Sequence, residues 1–363
     1  MGDGSADGAG SGRRRVSVAF TLLALAIGAA GGVVFYYLRL PLPWMLGSMT
    51  ATTAAALAGV HFTIDRRLRA LFVTVLGVLL GSAFTPAVLA HAGDWTIGFG
   101  LLAVFLPASS AVLFVYFRRV AGMDATTAYF SSMPGGLNDM TIIGEAMGGD
   151  MVRIALVHAT RVLIVVSVVP FYYRYMAGIF AGRAAATAAA APLPLADIAT
   201  LVACGAVGWF GARLAKLPAA QLVGPLVLSA AAHLLGATAS RPPPELVAMS
   251  QIVIGAAVGS RFAGLTWRRI SHTIALAVGS TVLLLLMAFA VSHAFEGRIP
   301  IQSSALMLAL SPGGLTEMSL VALALGIDVA FVSSMHIARI AMVLLVAPLV
   351  FRLGRRDNGG ATG

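Results

Sequence analysis

Ser132-Met-Pro-Gly-Gly-Leu-Asn-Asp-Met140 lies inside a long apolar segment, and Leu310-Ser-Pro-Gly-Gly-Leu-Thr-Glu-Met318 repeats its pattern inside another. Pro134 and Pro312 stand 178 positions apart, and the same offset pairs Asp139 with Glu317, Gly148 with Gly326 and Asp150 with Asp328. It also carries His158 to His336, Arg161 to Arg339 and Pro170 to Pro348. The chain has only 7 histidines, so an ungapped match that includes a His and an Arg marks a tandem duplication. Earlier segments extend it, Gly77 with Gly255 and Gly81-Ser82 with Gly259-Ser260. Leu42-Pro43 followed by Leu46-Gly47 resembles Leu217-Pro218 followed by Leu222 and Gly224.

The surroundings of the repeated word set the class. Hydrophobic residues make up 59% of the chain and charged residues 10%, where a soluble domain keeps about a quarter of its residues charged. With a mean hydropathy of +0.92, the chain reads as an all-α polytopic membrane protein. The net charge of +10 does not point to nucleic acid. The basic residues fall in short clusters between apolar runs, which is how membrane topology is written. Cys204 stands alone, which excludes an intramolecular disulfide and a cysteine metal site. His61, His91, His233, His272 and His293 share no ligand spacing, and no metalloprotease, P-loop, serine-hydrolase or dithiol motif occurs. Neither metal nor cofactor nor enzymatic activity is expected.

About 20 apolar residues cross a bilayer, and on that ruler each half holds six segments. They run over 16–38, 43–60, 68–90, 95–117, 124–148 and 152–173, then 195–215, 219–236, 246–264, 271–294, 301–325 and 329–351. The expected domains are a disordered cytoplasmic tail (1–15), a first membrane repeat (16–182), a linker (183–194), a second repeat (195–352) and a C-terminal tail (353–363). Val16 to Leu38 is long for a signal sequence and reads as a first transmembrane helix.

The fifth segment of each half is the odd one. Pro134-Gly135-Gly136 and Pro312-Gly313-Gly314 remove a backbone donor and add flexible positions, so a continuous helix is not expected. The segment either crosses as two half-helices or dips in and returns. Irregular backbone at membrane depth is tolerated where protein buries it or where it lines a wet cavity. Six crossings per half would make the repeats parallel; five crossings plus a re-entrant segment would invert them. Counts of Lys and Arg on the two sides differ by one residue between these arrangements and decide nothing. Inverted repeats are the expectation, because transporters with paired broken helices commonly use them.

Asp139 and Glu317 fall three residues after the second glycine, at the start of the second half-helix, where free N–H groups and the helix dipole favour a carboxylate. They read either as caps or as a proton, cation or substrate site, with Asn138 and Thr316 as matched polar neighbours. His158 and Arg161 share one helix face, as do His336 and Arg339. An arginine at the centre of a membrane helix costs about 2.5–3.5 kcal/mol on insertion scales, so each needs a partner. The expected partners are Asp139 for Arg161 and Glu317 for Arg339, with reception of an anionic solute group as the sharper alternative. Glu145 lacks a counterpart, and Asp150 and Asp328 read as caps of the sixth helices.

The duplicated Pro-Gly-Gly-Leu-x-Asp/Glu-Met block, with the Gly-x-Asp, His-x-x-Arg and Pro that follow it, resembles the bacterial membrane AbrB family over about residues 16–352. That resemblance implies a multi-pass inner-membrane protein, and the family carries the labels of gene-expression regulator and ammonia monooxygenase. It shares its name with a soluble DNA-binding regulator that this chain does not resemble. It supplies no active site, and a copper or iron centre would need clustered ligands that are not seen here. The first expectation is a secondary transporter or exporter of a small solute, an anion among the candidates, through a site at the two Pro-Gly-Gly breaks. A membrane-embedded regulator or sensor is the alternative and an oxygenase the remotest. The expected partners are the bilayer and a small solute, with no direct contact to nucleic acid, while assembly with further copies of the chain is left open. The N-terminus is expected in the cytoplasm.

Overall fold

The computed structural model describes residues 6–176, 193–265 and 267–359. Its described residues are all helical or irregular, with no strand. Among the described residues, seven helices are long and apolar enough to cross a membrane, from Val18–Tyr37 to Val329–Phe351. This is an all-helical polytopic membrane protein. The expected linker lies almost wholly outside the described residues.

In chain order, the first half gives α1 (Ala6–Tyr37), α2 (Pro43–Leu57), α3 (Arg66–Gly81), α4 (Pro86–Leu89), α5 (Trp95–Arg119), α6 (Ala125–Ser132), α7 (Leu137–Ala146) and α8 (Met151–Tyr175). The second gives α9 (Leu195–Leu214), α10 (Ala220–Leu234), α11 (Pro244–Gly259), α12 (Trp267–Ala294), α13 (Ser303–Leu310), α14 (Leu315–Leu325) and α15 (Val329–Gly359). α1 begins within the stretch expected as a tail. The segment expected over 68–90 is split, because Pro86 cannot continue α3 and instead starts α4 behind the Thr85 cap.

The compact units do not follow the halves. One comprises Met1–Ser82 with Ala181–Arg269, the other Ala83–Phe180 with Ile270–Gly363. Each therefore takes three consecutive long segments from each half.

In the first unit glycine allows backbones to meet. Gly31 and Gly47 face each other where α1 crosses α2, and Gly208 and Gly224 do the same where α9 crosses α10. A Cβ at any of these would strike backbone. The halves also exchange helices. Thr74 Oγ1 donates to Gln221 O at 3.1 Å, Ser229 Oγ donates to Val78 O at 2.8 Å, and Gly81 lies against Leu226 and Ser229. Numbers rise together on both sides, so α3 and α10 run in the same direction. Ser48 Oγ donates to Ile252 O at 2.8 Å, while Gly255 meets Met45 and Ser48, and Gly259 meets Thr52 and Thr53. α2 and α11 are likewise codirectional.

The second unit holds both interrupted segments. Its core joins Leu113 and Phe117 of α5, Ala128 of α6, Val157 of α8 and Ala277 and Leu284 of α12. Tyr116 donates to Leu276 O at 3.1 Å, tying α5 to α12.

Candidate functional site

The helix stops after Ser132 and restarts at Leu137; it stops again after Leu310 and restarts at Leu315. At both breaks the flanking residues are extended, with Gly136 at φ −64° and Gly314 at φ −70°. None of the four tip glycines has a positive φ. Their contribution is space. A Cβ on Gly135 would meet Met140 and Val343, and one on Gly313 would meet Met318. On Gly136 it would occupy the place of an Asp139 carboxylate oxygen, and on Gly314 that of Glu317. Each acid folds back over the glycine that precedes its half-helix.

The two arginines do something other than what the sequence led us to expect. Arg161 Nη2 donates to Ser131 O at 2.6 Å and Nη1 to Met133 O at 3.2 Å. Arg339 Nη1 donates to Ser311 O at 2.7 Å and Nη2 to Gly313 O at 2.6 Å. His158 Nε2 and His336 Nε2 bind Phe130 O at 3.0 Å and Leu308 O at 3.1 Å. A carbonyl only accepts, so Nε2 carries the hydrogen in both rings. The His-x-x-Arg face thus caps the C-terminal end of the first half-helix.

The expected ion pairs of Arg161 with Asp139 and of Arg339 with Glu317 are not formed. The ion pairs Arg153–Asp150 and His293–Glu296 lie elsewhere. The reason is electrostatic. Each tip brings together the negative C-terminal end of one half-helix and the positive N-terminal end of the next. The guanidinium answers the first and the carboxylate the second, so the opposite charges serve opposite helix ends instead of each other. Both arginines are buried, at 1% and 3% exposure, and Nε of each lacks a hydrogen-bond partner.

The two interrupted segments are not equivalent. Asp124 caps α6 through Thr127 N at 2.9 Å, and the Thr127 hydroxyl accepts Asp150 N at 2.8 Å, closing the base of the first. In the second, Ser319 and Ser333 share a buried hydroxyl–hydroxyl hydrogen bond at 2.8 Å instead. Asn138 is exposed and Asp139 half-buried, whereas Thr316 and Glu317 are each 9% exposed. Asp150 and Asp328 cap α8 and α15 as expected, accepting from Val152 N and Arg153 N and from Phe331 N. Sequence reasoning passed over Thr127, Ser319 and Ser333, because short hydroxyl side chains in apolar helices commonly just bond back to their own turn.

The two tips lie in the same part of this unit. Gly135 packs against Val343, one helical turn beyond Arg339, and α14 packs on α8. Among the described residues no three His, Cys, Asp or Glu side chains converge on a metal-sized site.

The fold and site thus define a polytopic helical membrane protein with two charged, interrupted helices packed into one unit. The profile of the family described as "Transition state regulatory protein AbrB" matches residues 44–355, and the chain belongs to that family. It is 27% identical over 362 residues to "Uncharacterized protein YhjN" of Bacillus subtilis (strain 168), covering 92% of this chain and 93% of that one. It is 25% identical over 320 residues to "Putative regulator AbrB" of Escherichia coli (strain K12), covering 88% and 91%. No solved structure matches.

Proposed function

We propose that this chain is a secondary transporter or exporter of a small solute, not an enzyme, with the two Pro-Gly-Gly breaks as its central site. The observation that carries this reading is the pairing of two interrupted helices in one unit. Each tip presents a carboxylate, Asp139 or Glu317, that forms no ion pair with an arginine among the described residues. Membrane helices tolerate breaks and ionisable groups chiefly along solute and ion pathways. Asp139 and Glu317 serve as coupling carboxylates; Arg161 and Arg339 brace the tips. Two buried guanidiniums and two half-helix N-termini at the tips make an anionic solute group the favoured cargo in this reading.

The halves are inverted repeats in this reading. α2 and α3 are joined by a short connection and so run oppositely across the membrane. α10, second in its half, runs with α3, which is third in its own; helices in equivalent places therefore point in opposite directions. The same packing puts Arg66, Arg67, Arg69, Arg213, Lys216 and Arg261 at one end of the first unit. Arg39 and Arg241, balanced by Asp197 and Glu245, fall at the other. The positive-inside rule then makes the first end, and the N-terminus with it, cytoplasmic, in a bacterial inner membrane.

The test is flux across proteoliposomes loaded with a panel of small organic and inorganic anions under an imposed pH gradient. Wild type should move at least one of them, and Asp139→Asn with Glu317→Gln should abolish that flux while the protein stays folded. The family's description and the regulator name of the Escherichia coli relative favour a second reading, a membrane sensor that binds its signal at the same two breaks. Binding of a panel compound without flux of any would select it.

A further inference from the structure

Duplication gave both breaks the same arginine, yet the polar atoms left over around them differ. Ser131 Oγ, Thr160 Oγ1 and Arg161 Nε are buried without a hydrogen-bond partner. Short hydroxyls in helices commonly bond back to their own turn, as Ser132 Oγ does to Tyr129 O at 2.7 Å; these two do not. They share one place. α6 and α8 run in the same direction, since Phe130 meets His158 and Met133 meets Arg161. Ala128 and Val157 lie together in the core, and Ser131 and Thr160 stand one turn further along the same two faces. The Arg161 guanidinium adjoins them, with Nη2 on Ser131 O and Nε on the same edge of its plane.

Three buried groups able to donate call for an acceptor. We propose, deepening the transport reading on which this rests, that Ser131, Thr160 and Arg161 receive the carboxylate of a small monocarboxylate solute, and that the second break has no such subsite. A carboxylate offers two oxygens with about four acceptor positions, and its single charge matches the single guanidinium. A doubly charged phosphate or sulfate would leave a negative charge uncompensated in apolar surroundings, with Asp139 at the same tip. The second break lacks the hydroxyls, because Ala309 and Ala338 stand at the places of Ser131 and Thr160. Its partnerless atoms include His336 Nδ1, a bare lone pair that repels an anion. The tips differ in access as well. From Met133 to Asp139 only Pro134 is buried, whereas from Ser311 to Glu317 only Gly314 is not.

Thermal unfolding of the purified full chain in detergent, at constant ionic strength, tests this with sodium acetate, lactate and benzoate as probes beside phosphate, sulfate and chloride. At least one monocarboxylate should raise the wild-type melting temperature saturably, because a ligand bound only to the folded state stabilises it. Ser131→Ala and Thr160→Val should melt no lower than wild type without a probe, having no hydrogen bond to lose, but bind the probe about tenfold more weakly. Thr160→Ser should retain the affinity and keeps the test if another variant fails to fold. Ser304→Ala, which removes a partnerless hydroxyl from α13, should leave the affinity unchanged. Stabilisation by phosphate or sulfate and by no monocarboxylate would overturn the class. Wild-type affinity in both Ser131→Ala and Thr160→Val, or an equal loss in Ser304→Ala, would overturn the location. No stabilisation by any probe would overturn the subsite. Proteoliposome flux separates this from the transport reading: flux unaffected by Ser131→Ala and Thr160→Val rejects the subsite and keeps transport, while binding lost in both without flux in wild type keeps the subsite and rejects transport.

Discussion

Replacing Arg339 by lysine keeps a cation on α15 but removes the planar fork that spans Ser311 O and Gly313 O. At least one carbonyl at the end of α13 then loses a charge-assisted hydrogen bond worth roughly 1.5–3 kcal/mol. We expect Arg339→Lys and Arg161→Lys to lower the melting temperature in detergent clearly, and Asp139→Asn to leave it nearly unchanged. If arginine and acid held each other, removing either would cost alike. Sequence made the need for a partner plain and named the wrong one. Backbone carbonyls carry no signature in a sequence, while Asp139 and Glu317 were the only acids at a suitable offset in both repeats. The caps at Asp150 and Asp328 were legible because capping is local: the acid and the amides it satisfies are two or three residues apart.

At the scale of elements, the interrupted segments show glycine used for room. Gly136→Ala would displace the Asp139 carboxylate and Gly314→Ala that of Glu317, in each case moving the flexible end of a side chain rather than backbone. Both variants should fold with near-normal yield but disturb flux, as measured by proteoliposome uptake. Gly47→Ala and Gly224→Ala differ, since the new methyl would press into the backbone of the facing helix. Such overpacking typically costs about 1–3 kcal/mol, and we expect less monodisperse protein on size exclusion. The recurrence of Gly77 at Gly255 and of Gly81 at Gly259 could be seen in the sequence. That these glycines serve α3 on α10 and α11 on α2, across the halves, could not, because a small residue announces close approach without saying to what.

For the whole molecule, the direction of α3 relative to α10 makes a topological prediction. In a Cys204→Ser background, cysteines at His61 and Lys216 should react with a membrane-impermeant maleimide from the cytoplasmic side, and one at Ala237 from the opposite side. Labelling His61 and Lys216 positions from opposite sides would mean parallel repeats. The interleaving has a consequence for origins as well. Because α3 completes its packing on α10, and α11 on α2, a single half is an unfinished object with its crossing glycines uncovered. It could be completed by a second copy of itself inserted upside down. Two half-chains, residues 1–182 and 183–363, should accordingly accumulate when expressed together and be degraded when expressed apart. On the inverted reading proposed above, the ancestor of such a chain is a small membrane protein indifferent to which way it entered the bilayer, its two orientations later spliced into one polypeptide and free from then on to differ.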